Sequence, residues 1–176
     1  SATPVLSIRK EGNTPAWGAV YEQYFQEIDK VKGQKGVLSV EKKLFVETNN
    51  GTNRQIRPVS PEQPLRIGDK VIVRLTIRTD REMNYVFLKD LRAGCFEPAD
   101  QLSGPESRDG IWYYRSPKDV SENFFINRLP EGTFVLEYPV YVSRSGEYAG
   151  GISTIQCMYA PEFVSHTAGE SLRIMP

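Results

Sequence analysis

The chain has 176 residues, and its 22 Lys and Arg balance 22 Asp and Glu to a formal net charge of zero. This balance excludes the cationic footprint on which nucleic-acid binding rests, and no run of about 18 apolar residues is present to cross a membrane as a helix. The length suits one domain with a sizeable core, with or without a small appendage. Nine Tyr and eight Phe favour strands, where aromatic rings pack well on a pleated surface.

The first 31 residues carry the weakest patterns. Residues 5–9 alternate weakly and predict a short strand. Residues 16–28 fit either helical spacing or strand alternation, and their glycine and aromatic content favours a long strand. The glycines of residues 32–36 mark a flexible break. We therefore expect incoming strands and a linker over residues 1–31, followed by one domain over residues 32–176.

Apolar residues recur with a period of two from residue 38 onward. Residues 38–46 place four apolar side chains on one face of a strand, which Lys42 interrupts. Residues 48–53 contain Asn-Gly and predict a tight hairpin turn, and residues 50–52 also fit a glycosylation sequon, a less favoured interpretation. The alternation in residues 71–77 predicts the clearest strand, whose register is well specified. The apolar run 85–88 predicts a central strand that is buried on both faces.

The second half of the chain continues as strands after a long polar connection at residues 94–110. Strands are predicted over residues 111–115, 123–129, 133–142 and 171–174, and over residues 148–159 with a bulge or bend at the glycine pair 150–151. Pro139 cannot donate to a sheet ladder, so it belongs at an edge or a bulge. Eight to ten strands at this spacing predict an all-β fold, an antiparallel β-sandwich.

The residue types that catalysis needs are scarce. The single histidine, His166, lies in a predicted loop, where a solvated role is the simplest interpretation. Cys95 and Cys157 are expected to be buried thiols rather than a disulfide, and with His166 they lack the spacing of a zinc site. The carboxylates of the polar connection are expected to be solvated; they are Glu97, Asp100, Glu106 and Asp109. We expect no enzyme, no cofactor and no metal, and a small hydrolase that uses these carboxylates is the least favoured interpretation.

Tyr113 and Tyr114 are the residues most suggestive of a contact. Because they are adjacent in a predicted strand, their side chains point to opposite faces. One can join the core while the other presents its ring and hydroxyl outward, as tyrosines at protein contacts do. Packing of both rings within the sandwich is an equally good interpretation.

Nine segments in order carry a family resemblance. They are Trp17–Phe25, Gly68-Asp69, Tyr85–Asp90, Gly94–Pro98, Asn123–Phe125, Leu129–Gly132, Glu137–Val140, Gly146–Tyr148 and Met158–Phe163. From about residue 16 onward, the chain resembles the C-terminal macroglobulin-like domain of the bacterial alpha-2-macroglobulins, in particular those of Bacteroidetes type. Trp17–Phe25 looks like the strand by which the chain leaves a preceding helical, thioester-bearing domain.

The resemblance implies a macroglobulin-, fibronectin- or immunoglobulin-like sandwich at the end of a much larger exported protease trap. The implied location is the periplasm or cell envelope, with a signal or lipoprotein anchor upstream of a chain that begins without Met. The implied partners are the other domains of the parent chain, with proteases met only through the parent. The thioester signature Cys-Gly-Glu-Gln does not occur in this sequence and no bait region can be identified, so the trapping chemistry is expected elsewhere.

The resemblance also implies a role for an aromatic side chain. In better-known members a tyrosine of the terminal domain covers the thioester, and Tyr113 and Tyr114 lie where that residue is expected. The residues themselves leave an alternative open. A free-standing adhesion or carbohydrate-binding sandwich would use Trp112, Tyr113 and Tyr114 as a stacking platform.

Overall fold

The computed structural model describes residues 6–18, 20, 24–50 and 53–176. Within them lie one short 3₁₀ helix, Ile28–Lys30, and fourteen strands. The strands are β1 (Leu38–Asn50), β2 (Asn53–Pro58), β3 (Leu65–Arg66), β4 (Lys70–Thr79), β5 (Met83–Leu91), β6 (Phe96–Pro98), β7 (Gly104–Arg108), β8 (Ile111–Pro117), β9 (Ser121–Leu129), β10 (Gly132–Val142), β11 (Gly146–Ala149), β12 (Ser153–Cys157), β13 (Ala160–His166) and β14 (Ser171–Met175). No helix in these residues is long and apolar enough to span a membrane.

The strands form the expected antiparallel sandwich. One layer is a five-stranded sheet in the order β2-β1-β4-β10-β6, and the other is a six-stranded sheet in the order β13-β12-β5-β9-β8-β7. A smaller sheet, β11-β14-β3, contains the one parallel pair among the described strands, β14 with β3. The prediction of an all-β sandwich is therefore confirmed.

The core lies between the two large sheets and follows the period-two pattern. Val71, Val73, Leu75 and Ile77 of β4 are all buried, as their alternation predicts. The six-stranded sheet supplies the opposing apolar row from alternate residues of β5 and β9. The rings of Phe124 and Tyr138 meet across the layers with centroids 6.2 Å apart. Each large apolar side chain buried here contributes about 1.5–3 kcal/mol relative to exposure.

The amino-terminal strands are where the prediction is wrong. Residues 6–9 form no strand, and residues 16–18, 20 and 24–27 form none either, while Ile28–Lys30 is a 3₁₀ turn. Their large apolar side chains are exposed, with Trp17 at 96% and Phe25 at 108%. Apolar alternation yields a strand only where a partner strand supplies hydrogen bonds, and no described strand pairs with this segment. The predicted strand positions Val5, Ala19 and Tyr21–Gln23 lie outside the described residues.

Three other predictions need correction. The polar connection 94–110 is not one loop, because β6 and β7 lie within it. The apolar run 85–88 is central in its sheet but buried on one face, since Tyr85 is 54% exposed in a left-handed conformation with φ 57°. His166 ends β13 instead of lying in a loop.

The predicted hairpin turn and the predicted positions of irregular backbone agree better with the structure. β1 and β2 form the predicted hairpin, in which Asn50 pairs with Asn53, although residues 51–52 of its turn lie outside the described residues. The β6 ladder spans Val140–Val142 and so stops next to Pro139, as an edge position requires. At the glycine pair 150–151, where a bulge or bend was predicted, the chain passes from the small sheet, which contains β11, to the six-stranded sheet, which contains β12.

Candidate interaction surface

Tyr113 and Tyr114 point in opposite directions. Tyr113 is 5% exposed, and its hydroxyl donates to Glu106 Oε2 at 3.0 Å. Its ring packs edge-on against Phe124, with centroids 5.7 Å apart. Burial, and then the hydrogen bond to Glu106, raises the pKa of Tyr113 to about 12. Tyr114 is 47% exposed on the outer face of the six-stranded sheet, so it is the tyrosine of this pair that can meet another molecule.

An aromatic surface surrounds Tyr114, and we call it the β8–β9 face. It consists of Trp112, Tyr114 and Phe125, which are 71%, 47% and 46% exposed. Tyr114 lies directly opposite Phe125 in the sheet, and Phe125 stacks on Phe87 with ring centroids 4.9 Å apart. A shallow groove of about 460 Å³ runs along this face. Supported aromatic rings of this kind favour contact with another surface.

A second exposed apolar site lies at the turn between β12 and β13, which we call the β12–β13 tip. Met158 is 57% exposed and Tyr159 is 81% exposed. The Tyr159 ring packs edge-on against Tyr85 at 5.1 Å, and the Met158 amide donates to the Tyr85 carbonyl at 2.9 Å. The left-handed Tyr85 therefore supports the tip. Sequence reasoning missed Met158 and Tyr159 as site residues because it placed both inside one strand over residues 148–159, whereas β12 ends at Cys157 and β13 begins at Ala160.

A buried ionic cluster joins the two layers. The carboxylate of Asp90 in the six-stranded sheet accepts from Lys42 Nζ of the five-stranded sheet at 2.8 Å. It also accepts from the hydroxyls of Tyr138 and, at 2.7 Å, Ser153. Burial, and then the neighbouring Asp90 charge, raises the pKa of Tyr138 well above its ordinary value. Lys42 thus interrupts the apolar face of β1 because its ammonium reaches a buried carboxylate.

Glu122 forms the other half of this cluster, next to Asp90 in the β5–β9 register. It accepts from Arg115 Nε at 2.7 Å and from Arg92 at 2.9 Å, and all three side chains are buried. Two nitrogens of Arg92 and one of Arg115 have no hydrogen-bond partner among the described residues. A buried ion pair adds little net stability over apolar side chains of the same volume, although the loss of one partner is costly. We therefore interpret this cluster as a structural feature of the sandwich and not as a catalytic site.

The predicted loop carboxylates have structural partners or are solvated. Glu106 accepts from Tyr113, Asp109 Oδ2 accepts from the Val135 amide at 3.0 Å, and Glu97 is exposed. Asp100 Oδ1 accepts from the amide of Leu102 at 2.9 Å. None of them joins a nucleophile or base in a catalytic arrangement.

The sulfur and imidazole groups are equally separate. Cys95 and Cys157 are free and buried, as predicted. Burial raises the pKa of Cys95 to about 11, which leaves the thiol protonated and unreactive. His166 Nδ1 contacts the carbonyl of Thr167 at 3.1 Å. Within the part of the chain that the structure describes, no group of three His, Cys, Asp or Glu side chains could hold a metal ion.

Solved structures with this fold come from bacterial alpha-2-macroglobulins. A tyrosine-to-glycine mutant of the Salmonella protein superposes with a TM-score of 0.64 and 22% identity over 82% of this chain and 10% of that chain. The native Escherichia coli protein from domain MG7 to the C-terminus gives 0.63 and 16% identity over 82% of this chain and 24% of that chain. At these identities the similarity shows the fold alone. The chain spans about a tenth of the longer Salmonella relative.

Sequence comparison gives one distant and one decisive match. "Circularly permutated Ras protein 2" of Dictyostelium discoideum is 28% identical over 109 residues, which are 62% of this chain and 3% of that protein. The family model described as "Bacterial Alpha-2-macroglobulin MG10 domain" matches residues 38–162, well over half of the chain. The matched segment begins at the first residue of β1 and ends within β13. This chain therefore belongs to the family of bacterial alpha-2-macroglobulin MG10 domains.

Proposed function

We propose that the chain is the non-catalytic interaction domain by which an exported alpha-2-macroglobulin-like protease trap holds its thioester-type domain in place. Family membership supports a structural domain of such a protein. The small share of its relatives that the chain covers supports action as one part of a larger molecule. Protease contact would then be indirect, and the location would be the periplasm or cell envelope of a bacterium. Assignment to the Bacteroidetes type remains a prediction.

Contacts at the start of the sandwich support the proposed domain boundary. Ser171 Oγ donates to Asp29 Oδ2 at 3.2 Å, and the Gly169 amide donates to the Val31 carbonyl at 2.8 Å. Upstream of Ile28 the described residues are exposed and form no strand. We propose that residues 1–31 lead in from the preceding domain, with only their last few residues resting on the sandwich of residues 32–176.

The exposed aromatic side chains support packing against the preceding domain. Tyr113 cannot offer its hydroxyl to a partner without losing Glu106, so Tyr114 carries the shielding role expected from the sequence. Tyr159 is a second candidate because it is more exposed and is held by Tyr85. An aromatic ring laid over a thioester excludes water and thereby protects a hydrolysable bond. The single observation that carries the proposal is this set of supported, exposed rings on an MG10 domain.

The test uses the full-length parent protein. Tyr114→Ala and Tyr159→Ala are made separately, with Tyr141→Ala as the matched control because Tyr141 is 46% exposed on the outer face of the other sheet. We expect faster appearance of the free thiol, and lower trapping of a protease, in at least one of the first two variants and not in the control. An unchanged thioester lifetime in both variants, or a parent without any thioester, would remove the shielding proposal.

The exposed Trp112 and Tyr114 also favour a second candidate, a carbohydrate-binding sandwich. A glycan array with the 176-residue chain tests it. Binding of a glycan that is lost in Trp112→Ala would favour this alternative. An array without any bound glycan would leave the domain-packing proposal standing.

A further inference from the structure

Strand β1 has an unpaired edge. β4 pairs with Leu38–Glu47 along one side of β1, whereas β2 pairs with the other side only over Phe45–Asn50. Over residues 38–44 none of the described strands pairs with that second side. A stretch of this kind presents backbone donors and acceptors to whatever lies beside it.

Two residues supply those backbone groups. The Val59 amide donates to the Leu44 carbonyl at 3.0 Å, so the backbone of Leu44 faces away from β4. Alternation along an antiparallel strand then turns the amides and carbonyls of Val40 and Lys42 to the same open side. Those of Glu41 and Lys43 face β4. No described backbone group outside β1 bonds to Val40 or Lys42 on this side.

A groove runs beside the open edge. Two cavities of about 940 and 530 Å³ share Lys42, Lys43 and Leu44 on one wall and Glu170 and Leu172 on the other, so they form one channel. Val40 and Leu172 are buried, and Leu44 packs against the core, which gives the channel an apolar floor. The side chain of Lys42 turns inward to Asp90.

We propose that this groove binds an extended peptide, which adds as a strand to the open edge of β1 and carries alternating apolar and acidic side chains. The backbone of the peptide bonds to Val40 and Lys42, as in other cases of strand addition. Its apolar side chains lie over Val40 and Leu172. Successive side chains of a strand alternate in direction, so the acidic ones reach the rim.

The charges of the rim select the acidic side chains. Lys43 and Arg173 are exposed, and neither makes an ion pair with a described residue. Lys35 lies 3.5 Å from Glu41, which leaves that pair neutral. Glu170 is the remaining rim charge, so the rim carries a net positive charge. A peptide with acidic residues complements it, and one with basic residues does not.

A second copy of the chain fits the edge less well. A two-fold pairing that joins Val40 to Lys42 places Glu41 opposite Glu41, and like charges directly opposite destabilise a ladder. A register that joins Val40 to Leu44 requires the Leu44 carbonyl, which Val59 already occupies. These conflicts favour a single peptide.

Amide hydrogen exchange, followed by NMR on the 176-residue chain, tests the open edge. We expect the amides of Val40 and Lys42 to exchange at least about tenfold faster than those of Glu41 and Lys43, which bond to β4. Equal protection of all four amides would overturn the proposal, because the edge would then already be paired.

Binding is measured by fluorescence anisotropy with a labelled peptide of sequence Asp-Val-Glu-Val-Asp-Val-Glu-Val. Two further peptides are N-methylated, one on its acidic residues and one on its valines. Since one set of amides faces β1, one of these peptides should lose at least about tenfold in affinity, the equivalent of a lost pair of hydrogen bonds. Binding should also protect the Val40 and Lys42 amides from exchange.

Charge variants complete the test. Lys43→Glu should weaken binding about threefold, while Lys89→Glu on the outer face of the other sheet should leave it unchanged. A peptide with Lys in place of Asp and Glu should bind more weakly than the acidic peptide. Absence of binding, equal binding of both N-methylated peptides, or protection of the edge that grows with protein concentration through dimer formation would each overturn the proposal.

Discussion

Removal of the Asp90 carboxylate should be one of the most damaging single changes to the sandwich. Asp90→Ala leaves the Lys42 ammonium buried with only the carbonyls of Leu91 and Gly150, at 2.9 and 3.3 Å. It also removes the acceptor of the Ser153 and Tyr138 hydroxyls. Breaking one side of a buried ion pair costs about 3–5 kcal/mol. With a urea m-value of about 2 kcal/mol/M for a chain of this size, the midpoint falls by roughly 1.5–2.5 M.

A double-mutant cycle separates the ion pair from packing. Lys42→Met leaves the Asp90 carboxylate buried without its cation, and we expect a loss of similar size. Lys42→Met/Asp90→Ala removes both charges, so its cost should fall short of the sum of the single costs by about 2–3 kcal/mol. The control is Arg128→Met, because both side chains of the Arg128–Glu82 pair are exposed and the pair should be worth less than about 1 kcal/mol.

Urea unfolding followed by far-ultraviolet circular dichroism measures all four variants. Comparable m-values are required, because a changed m-value would mean a changed denatured state. Two results would refute the reasoning that the cluster holds a desolvated charge in place. One is a decrease of the urea midpoint by less than about 0.5 M in Asp90→Ala, and the other is strict additivity of the losses in the cycle.

Three further predictions concern a glycine and two tyrosines. Gly151→Ala should lower the free energy of unfolding by more than about 3 kcal/mol, because a Cβ at φ +74° would lie 2.1 Å from the Leu91 carbonyl oxygen. The control is Gly104→Ala, where the Cβ meets open space and the thermal midpoint should change little. Equal shifts of the thermal midpoint in the two variants would contradict the argument. Burial and Glu106 raise the pKa of Tyr113 to about 12, so the stability that this group contributes is complete below its ordinary value of 10.0 and is lost as the pH rises through about 12. The ultraviolet absorbance difference between the wild type and Tyr113→Phe should therefore show one tyrosinate forming near pH 12, and one forming near pH 10 would disprove the shift. Tyr159→Ser should lower the free energy of unfolding by less than about 1.5 kcal/mol, since the ring is 81% exposed and packs edge-on against Tyr85, and a larger loss in urea unfolding would assign Tyr159 to the core.

The sandwich could be predicted wherever one strand face is buried. In β4, Val71, Val73, Leu75 and Ile77 share a face, and a slip of one residue would expose them all, so pattern and structure agree. Residues 16–28 failed for the opposite reason. Their alternation is real, but hydrogen bonds to a partner strand make a strand, and no described strand partners them.

The interior cluster was only partly visible in the sequence. Lys42 could be seen to interrupt an apolar face, but its partner lies 48 residues away in the other layer. The alternation of inward-facing and outward-facing positions along the strands indicated which other charged side chains turn inward. Asp90 follows Val86 and Leu88 at intervals of two, and Arg115 follows Ile111 and Tyr113 in the same way. The phase that begins at buried Ile111 also indicates that Tyr113, rather than Tyr114, turns inward.

The placement of the tryptophans has a practical consequence. Trp17 and Trp112, the two that the chain contains, are 96% and 71% exposed. Their indole emission already reports a watery environment, so it should respond weakly to denaturant. The same emission should shift to the blue when either side chain is covered by a neighbouring domain, which makes the natural chromophores of this chain a label-free gauge of assembly.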